Sequence, residues 1–368
     1  MNGKISSIQV GMMTALTCCG LYLGLSNVVL IRKSGSEVLV AMLLGVIIGL
    51  IPVLMCLKIS GTHPELNIYE KNKKIFGKVL GNIINGLLLL IYVAMLVFAL
   101  RSIIIFLTSK YFMNTPFYLI GCLIIITILI ICFKGLETIA RISQVTFFAS
   151  LFLVIFIEFF VLQYVEIGNI LPMFINNDYV SNILSGSIYY ASSCALLTML
   201  LLTINKSRIR DPKNYNKSII LFYLLGSLSL TLVMFYVVSS FGYKLTSLFR
   251  YPEYIMLKKI SISDANLHIE NLLAFRWIFY MLALANVSLY GIMTGIKSFS
   301  NKIKLNKIIV IIIVVLALPI AKMTFGNIPH SIITVKIFYL PYIAIPMITV
   351  LIVMFIRCLM IKKEPTKK

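Results

Sequence analysis

Charge is scarce in this chain, and negative charge scarcest of all. Its 368 residues include 12 Asp and Glu against 33 Lys and Arg, and charged residues make up 12%. A soluble domain carries about 25%, so composition excludes a soluble globular fold. Histidine is limited to His63, His268 and His330, none at metal-ligand spacing from another. The seven cysteines (Cys18, Cys19, Cys56, Cys122, Cys132, Cys194 and Cys358) include no Cys-x-x-Cys pair. Neither a metal centre nor a disulfide framework is indicated. The chain also lacks Gly-x-Ser-x-Gly and any phosphate-cradling glycine loop, so no enzyme class and no cofactor is expected. Segments of ~10 residues with alternating polarity are missing as well, which excludes an outer-membrane barrel.

What the chain has is apolar length. Hydrophobic residues make up 60%, gathered in ten runs at 8–31, 37–59, 79–107, 117–133, 142–165, 180–204, 219–242, 272–296, 308–321 and 337–356. Roughly 20 consecutive apolar residues cross the hydrocarbon as a helix, and helices satisfy their own backbone there. The expected fold is an all-α polytopic membrane protein, one transmembrane domain over 1–368. The first run is too long for a signal peptide and lacks a small-residue cleavage site, so it is retained as a span.

The basic residues give the orientation. With the N-terminus in the cytoplasm, the linkers there hold Lys71, Lys73, Lys74 and Lys78, then Lys134 and Arg141, then Lys206, Arg208 and Arg210. Lys297, Lys302, Lys304 and Lys307 follow, and the C-terminal lysines fall on the same side. The positive-inside rule therefore places both termini in the cytoplasm. This distribution accounts for the net charge of +21 without nucleic acid, for which no basic-plus-aromatic module exists. Two linkers are long. Residues 60–78 read as a turn and a short helix. In 243–271, Pro252 opens a short helix whose Tyr254, Ile255, Leu257 and Ile260 are expected to rest on lipid.

Ten spans divide into two halves of five, about 1–166 and 178–368. Because five is odd, the second half starts on the opposite side, as in an inverted repeat. Transporters of that design bind solute at the midplane, where the first helix of each half is broken. Spans 1 and 6 carry matching weaknesses: Gly20, Tyr22, Gly24, Ser26 and Asn27 in one, Ser185, Gly186, Ser187 and Tyr190 in the other. Glycine costs a helix interior ~1 kcal/mol, and an unwound stretch frees N–H and C=O groups for a ligand. The same glycines also suit close helix packing. Both roles stand open for Gly20, Gly24 and Gly186. Charge inside a span points to function by default, and three such groups occur: Arg101, Glu158 and Arg276. Glu158 is placed to pair with either arginine, and the alternative is that the arginines snorkel to the interface. Among polar residues in mid-span, Asn286 and Ser288 are the ones expected to face a cavity; Asn82, Asn85, Thr127 and Gln144 read as interhelical glue.

Several stretches resemble the spore germination permease family, the B subunits of nutrient germinant receptors in the amino acid–polyamine–organocation superfamily. They are Ile8-Gln9, Lys33-Ser34-Gly35-Ser36-Glu37, the octet Lys134-Gly135-Leu136-Glu137-Thr138-Ile139-Ala140-Arg141, Gly168-Asn169-Ile170-Leu171-Pro172, Tyr251-Pro252-Glu253-Tyr254, and His268-Ile269-Glu270 with Arg276-Trp277. Their order along the chain carries the likeness. It departs from the family's pattern in span 1, where Tyr22 takes the place of a second glycine and Asn27 stands near that of a proline. The resemblance implies a five-plus-five inverted repeat in the spore inner membrane. It also implies a subunit that senses a small nutrient such as an amino acid, with a membrane-anchored A subunit and a lipoprotein C subunit as partners. An ion-coupled transporter of amino acids or amines is the alternative.

Overall fold

The computed structural model describes residues 3–21, 26–174, 177–259, 268–300, 302–323 and 335–360. Chain entry is fixed by side chains. Ser6 and Gln9 form a capping box at the start of α1 (Ser7–Gly20), and Asp211 Oδ1 accepts the Ser7 N–H at 2.7 Å. Gln9 Nε2 donates to Gln144 Oε1 at 3.0 Å, a polar tie across to the fifth span. After α1 come α2 (Asn27–Ser34), a 3₁₀ turn at Gly35–Glu37 and α3 (Val38–Gly61). Gly35 takes φ +59, where a Cβ is disfavoured, and so lets the chain turn from α2 into α3.

The helix α4 (Ile68–Lys110) is twice the length a bilayer needs, and it solves this by kinking at Gly77 (φ +80). The turns before the kink fold back onto its continuation. A Cβ on Gly81 would meet the Asn72 carbonyl oxygen at 2.7 Å. Asn72 Nδ2 donates to Asn85 Oδ1, and Asn85 Nδ2 to the Tyr69 carbonyl, both at 2.9 Å. Helices α5 (Phe117–Lys134) and α6 (Leu136–Val161) meet at Gly135, φ +100. Next are α7 (Tyr179–Cys194) with a 3₁₀ extension Leu196–Thr203, α8 (Tyr215–Thr246), the short α9 (Pro252–Lys259) and α10 (Glu270–Phe299). The last elements are α11 (Ile303–Met323), a π-helical stretch Val335–Ala344, and α12 (Ile345–Met360).

Nine of the described helical runs are long and apolar enough to cross a membrane. The first expected span, 8–31, is divided: α1 has 14 residues and α2 runs on towards α3. The ninth expected span is longer than 308–321, because α11 starts at Ile303. Burial ranks the helices. In the runs Tyr179–Thr203 and Glu270–Phe299, 72% of the apolar window is buried, against 22% in Leu136–Tyr164 and in Ile303–Met323. So α7 and α10, together with α1, whose residues Val10 to Gly20 are all buried, form the axis of the bundle, while α6 and α11 are its rim. The outward face of α3 shows Leu43, Ile47, Ile51 and Leu54 at helical spacing, as a lipid-facing surface requires. The chain is a multi-pass α-helical membrane protein.

Two expectations are corrected. The break in span 6 does not fall at Ser185-Gly186-Ser187, which lies inside regular α7; the helix changes to 3₁₀ only after Cys194. And α9 does not lie on lipid. Tyr254 and Leu257 are buried against the protein, and α9 packs on α8 and α10. Ile260 lies outside the described residues.

Candidate functional site around the break in the first span

The site begins where α1 stops. Gly20 ends the helix pressed against α10, and a Cβ there would meet Leu284 Cδ2 at 3.1 Å and the Tyr280 carbonyl oxygen at 3.4 Å. Tyr22 and Gly24 lie outside the described residues. The chain resumes at Ser26, whose Oγ accepts from Tyr189 of α7 at 3.1 Å. Asn27 is fully buried. Its Oδ1 accepts the Val28 N–H at 2.9 Å, and its Nδ2 donates to Glu253 Oε1 of α9. That contact straps α9 over the start of α2.

Glu253 is 2% exposed, and its Oε2 has no hydrogen-bond partner. Burial pushes its carboxyl up to about 7, with Asn27 and the charge of Arg276 acting in the opposite sense. Arg276, in the second turn of α10, is 1% exposed. Its Nε donates to Tyr280 Oη at 2.6 Å and its guanidinium lies 5.4 Å from that ring centre, but Nη2 has no partner. Beside it, Trp277 is buried with its Nε1–H unpaired, its ring held between Phe106 (4.7 Å between centres) and Tyr251 (5.3 Å). Three buried polar groups with unused hydrogen-bonding capacity thus gather beside a broken helix. Such groups are rare in proteins because each costs free energy.

The other expected positions divide. Neither expected ion pair of Glu158 forms among the described residues. The Oε1 of Glu158 is buried without a partner, and Arg101 donates to the Ala321 carbonyl at 3.0 Å. Arg276 is too deeply enclosed to snorkel. Gly186 packs tightly: a Cβ would come within 1.9 Å of Ser34 Oγ, which joins α7 to α2. Ser187 bonds back to the Ile183 carbonyl, and Tyr190 donates to the Ser227 carbonyl of α8 at 2.6 Å. It is the neighbouring Tyr189 that reaches the break. Asn286 and Ser288 are buried further along α10, where the Asn286 carbonyl oxygen lies 3.4 Å from Cys132 Sγ. Glu253 and Trp277 are the groups the sequence did not mark as site residues. The sign was a lone acid between Tyr251-Pro252 and Tyr254.

A cavity of about 870 Å³ lies at the lysine-rich end of the bundle. The octet supplies Lys134, Gly135, Glu137 and Arg141 to its wall, and Lys73 and Lys297 face it from α4 and α10. Among the described residues no three His, Cys, Asp or Glu side chains converge as metal ligands.

Comparison with known proteins agrees with this architecture. The fold is similar to that of a manganese transporter from Eremococcus coleocola, solved with an aromatic bis-isothiourea compound. The TM-score is 0.53 at 13% identity, covering 96% of this chain and 76% of that one. In sequence the chain is 28% identical over 300 residues to YfkT of Bacillus subtilis (strain 168), a candidate spore germination protein, covering 82% of this chain and 81% of YfkT. The profile of the spore germination protein family matches residues 4–330. The chain therefore belongs to the spore germination permease family.

Proposed function

We propose that this protein is the permease-like subunit of a nutrient germinant receptor in the spore inner membrane. It senses a small nutrient, such as an amino acid, in company with A and C subunits. The observation that carries this is the interruption between Gly20 and Asn27, bordered by the buried Asn27, Glu253 and Arg276. Transporters built from inverted repeats bind solute where the first helix of a repeat stops, and a family member whose α1 ends beside buried polar groups with free hydrogen-bonding capacity has the means to recognise one. The halves 1–166 and 178–368 then act as the two repeats, with both termini in the cytoplasm. Gly20, Tyr22, Gly24, Ser26 and Asn27 border the ligand, and Tyr189 replaces Tyr190 as the contribution of α7. Gly186 and Ser187 serve packing, and Asn286 is enclosed further along α10 beside Cys132. The protein does no covalent chemistry in this role.

An independent ion-coupled transporter of amino acids or amines is the second function, favoured by the transporter-like fold and by the cavity at the lysine-rich end. The deciding experiment is dipicolinate release from spores lacking the gene, screened against single amino acids, sugars and nucleosides. The receptor function predicts loss of response to one nutrient with the rest intact. Unchanged germination on every nutrient, together with solute uptake by vesicles containing the protein, would establish the transporter instead.

A further inference from the structure

We infer that Arg276 and Glu253 are the two charged ends of one binding site for a small zwitterion, with Arg276 and Trp277 taking its carboxylate and Glu253 its ammonium. This rests on the nutrient-sensing function above and names the chemistry of its site.

Three observations lead there. First, an arginine 1% exposed and a glutamate 2% exposed sit in the same neighbourhood, close enough for the charge of Arg276 to act on Glu253. Yet no ion pair within 4.0 Å joins them. A buried charge left unpaired is strongly destabilising. Two opposite buried charges that only had to stabilise the fold would close on each other. Second, the unused atoms are complementary in kind. Arg276 Nη2 and Trp277 Nε1 are donors, which suit a carboxylate, and Glu253 Oε2 is an acceptor, which suits an ammonium. A simple anion would leave Glu253 unsatisfied and a simple cation would leave Arg276 so. Only a molecule carrying both signs serves both ends. Third, the surroundings hold these groups in place. Asn27 fixes one oxygen of Glu253, Tyr280 fixes Arg276 through Nε and its ring, and Phe106 and Tyr251 clamp the Trp277 indole. Preorganised donors and acceptors of this sort bind without much ordering cost. The Oε1 of Glu158 is also unpartnered, and its carboxylate lies within the field of Arg276.

The test uses the full-length protein purified in detergent, with calorimetric titration of glycine, L-alanine, L-valine and L-proline as probes. Each probe is paired with its carboxamide, which lacks the carboxylate, and its N-acetyl derivative, which lacks the ammonium. At least one free amino acid should bind, and blocking either end should weaken it by ~30-fold or more, as expected when one partner of a buried charge contact is lost. R276Q should bind the free acid and the amide equally, and E253Q should bind the free acid and the N-acetyl form equally, while R276K and E253D keep part of the preference. The wild-type titrations alone decide the ligand class if a variant fails to fold. Binding of amino acids with equal tolerance of either blocked end, or folded R276Q and E253Q with unaltered preferences, overturns the site and leaves nutrient sensing standing. Binding of a sugar or nucleoside instead overturns the zwitterion but not the receptor. Failure to bind any nutrient, with normal germination of the deletion strain, removes the receptor function and this site with it.

Discussion

Glu253 holds its proton more tightly in the folded protein than an exposed carboxyl does. Its pKa is raised from 4.5 to about 7, chiefly by burial, against the pull of Asn27 on α2 and Arg276 on α10. The folded state therefore binds more protons than the unfolded one between those values, and stability falls as pH rises through that window. The variant E253Q keeps an acceptor for Asn27 and carries no charge to desolvate. Its stability should vary less with pH, and above about pH 7 it should exceed that of the wild type by on the order of 1–3 kcal/mol. Thermal unfolding in detergent from about pH 5 to about pH 8 measures this, and parallel curves for the two proteins would contradict it. Ligand affinity should run the other way. An ammonium needs the ionised carboxylate, so amino acid binding should weaken by up to ~10-fold for each unit below about pH 7. The sequence disclosed half of this cluster. Arg276 and Glu158 stood out as charges inside apolar runs, and Asn27 as a polar residue at a weak point. Glu253 did not, because an acid in the first turn of a helix opened by proline reads as an ordinary partner for the helix dipole. Only the folding of α9 onto the bundle reveals it as buried.

Among the elements, α9 depends on α2 through one side-chain contact, and that contact can be tested. Asn27→Ala leaves Glu253 Oε1 buried without its donor and should destabilise the protein by about 1–3 kcal/mol. In the double variant with Glu253→Leu the two losses should not add, because the partners act together. Additive losses would mean that the strap carries no energy. At the junction of α5 and α6, Gly135 adopts φ +100, which explains the glycine in Lys134-Gly135-Leu136. Gly135→Ala should lower the unfolding temperature, at a cost of about 1–2 kcal/mol. Gly186 behaves differently, since its space is filled by Ser34. Even Gly186→Ala should reduce folded protein, so loss of response at that position would report packing and not ligand contact. The helices themselves were legible in the sequence because length and apolar content suffice to mark a span. The place where span 6 leaves α geometry was not legible. Glycines at 186 and 20 signal close approach as readily as unwinding, and in α7 close approach won.

For the whole molecule, the basic linkers at one end predict both termini on the cytoplasmic side. A fluorescent protein fused to either terminus should mature, and a periplasm-dependent phosphatase at the same place should stay inactive. The reverse pattern would invert the bundle and put the Arg276 cluster nearer the cytoplasm. The charge asymmetry behind this prediction lies in the sequence itself, whereas the ranking of helices from axis to rim does not, since it depends on which faces meet. That ranking bears on how the protein is made. The run Tyr179–Thr203 is the least apolar of the nine spans and, with α10, the most enclosed by protein. Its own partition into lipid is therefore weak, and an emerging chain cannot rely on that step to leave the translocon. Its broadest packing surface is α3, which is synthesised earlier and already spans the bilayer. The first half of the chain thus serves as the template on which the second is inserted, so a ribosome-bound chain deprived of α3 should leave residues 179–203 on the aqueous side.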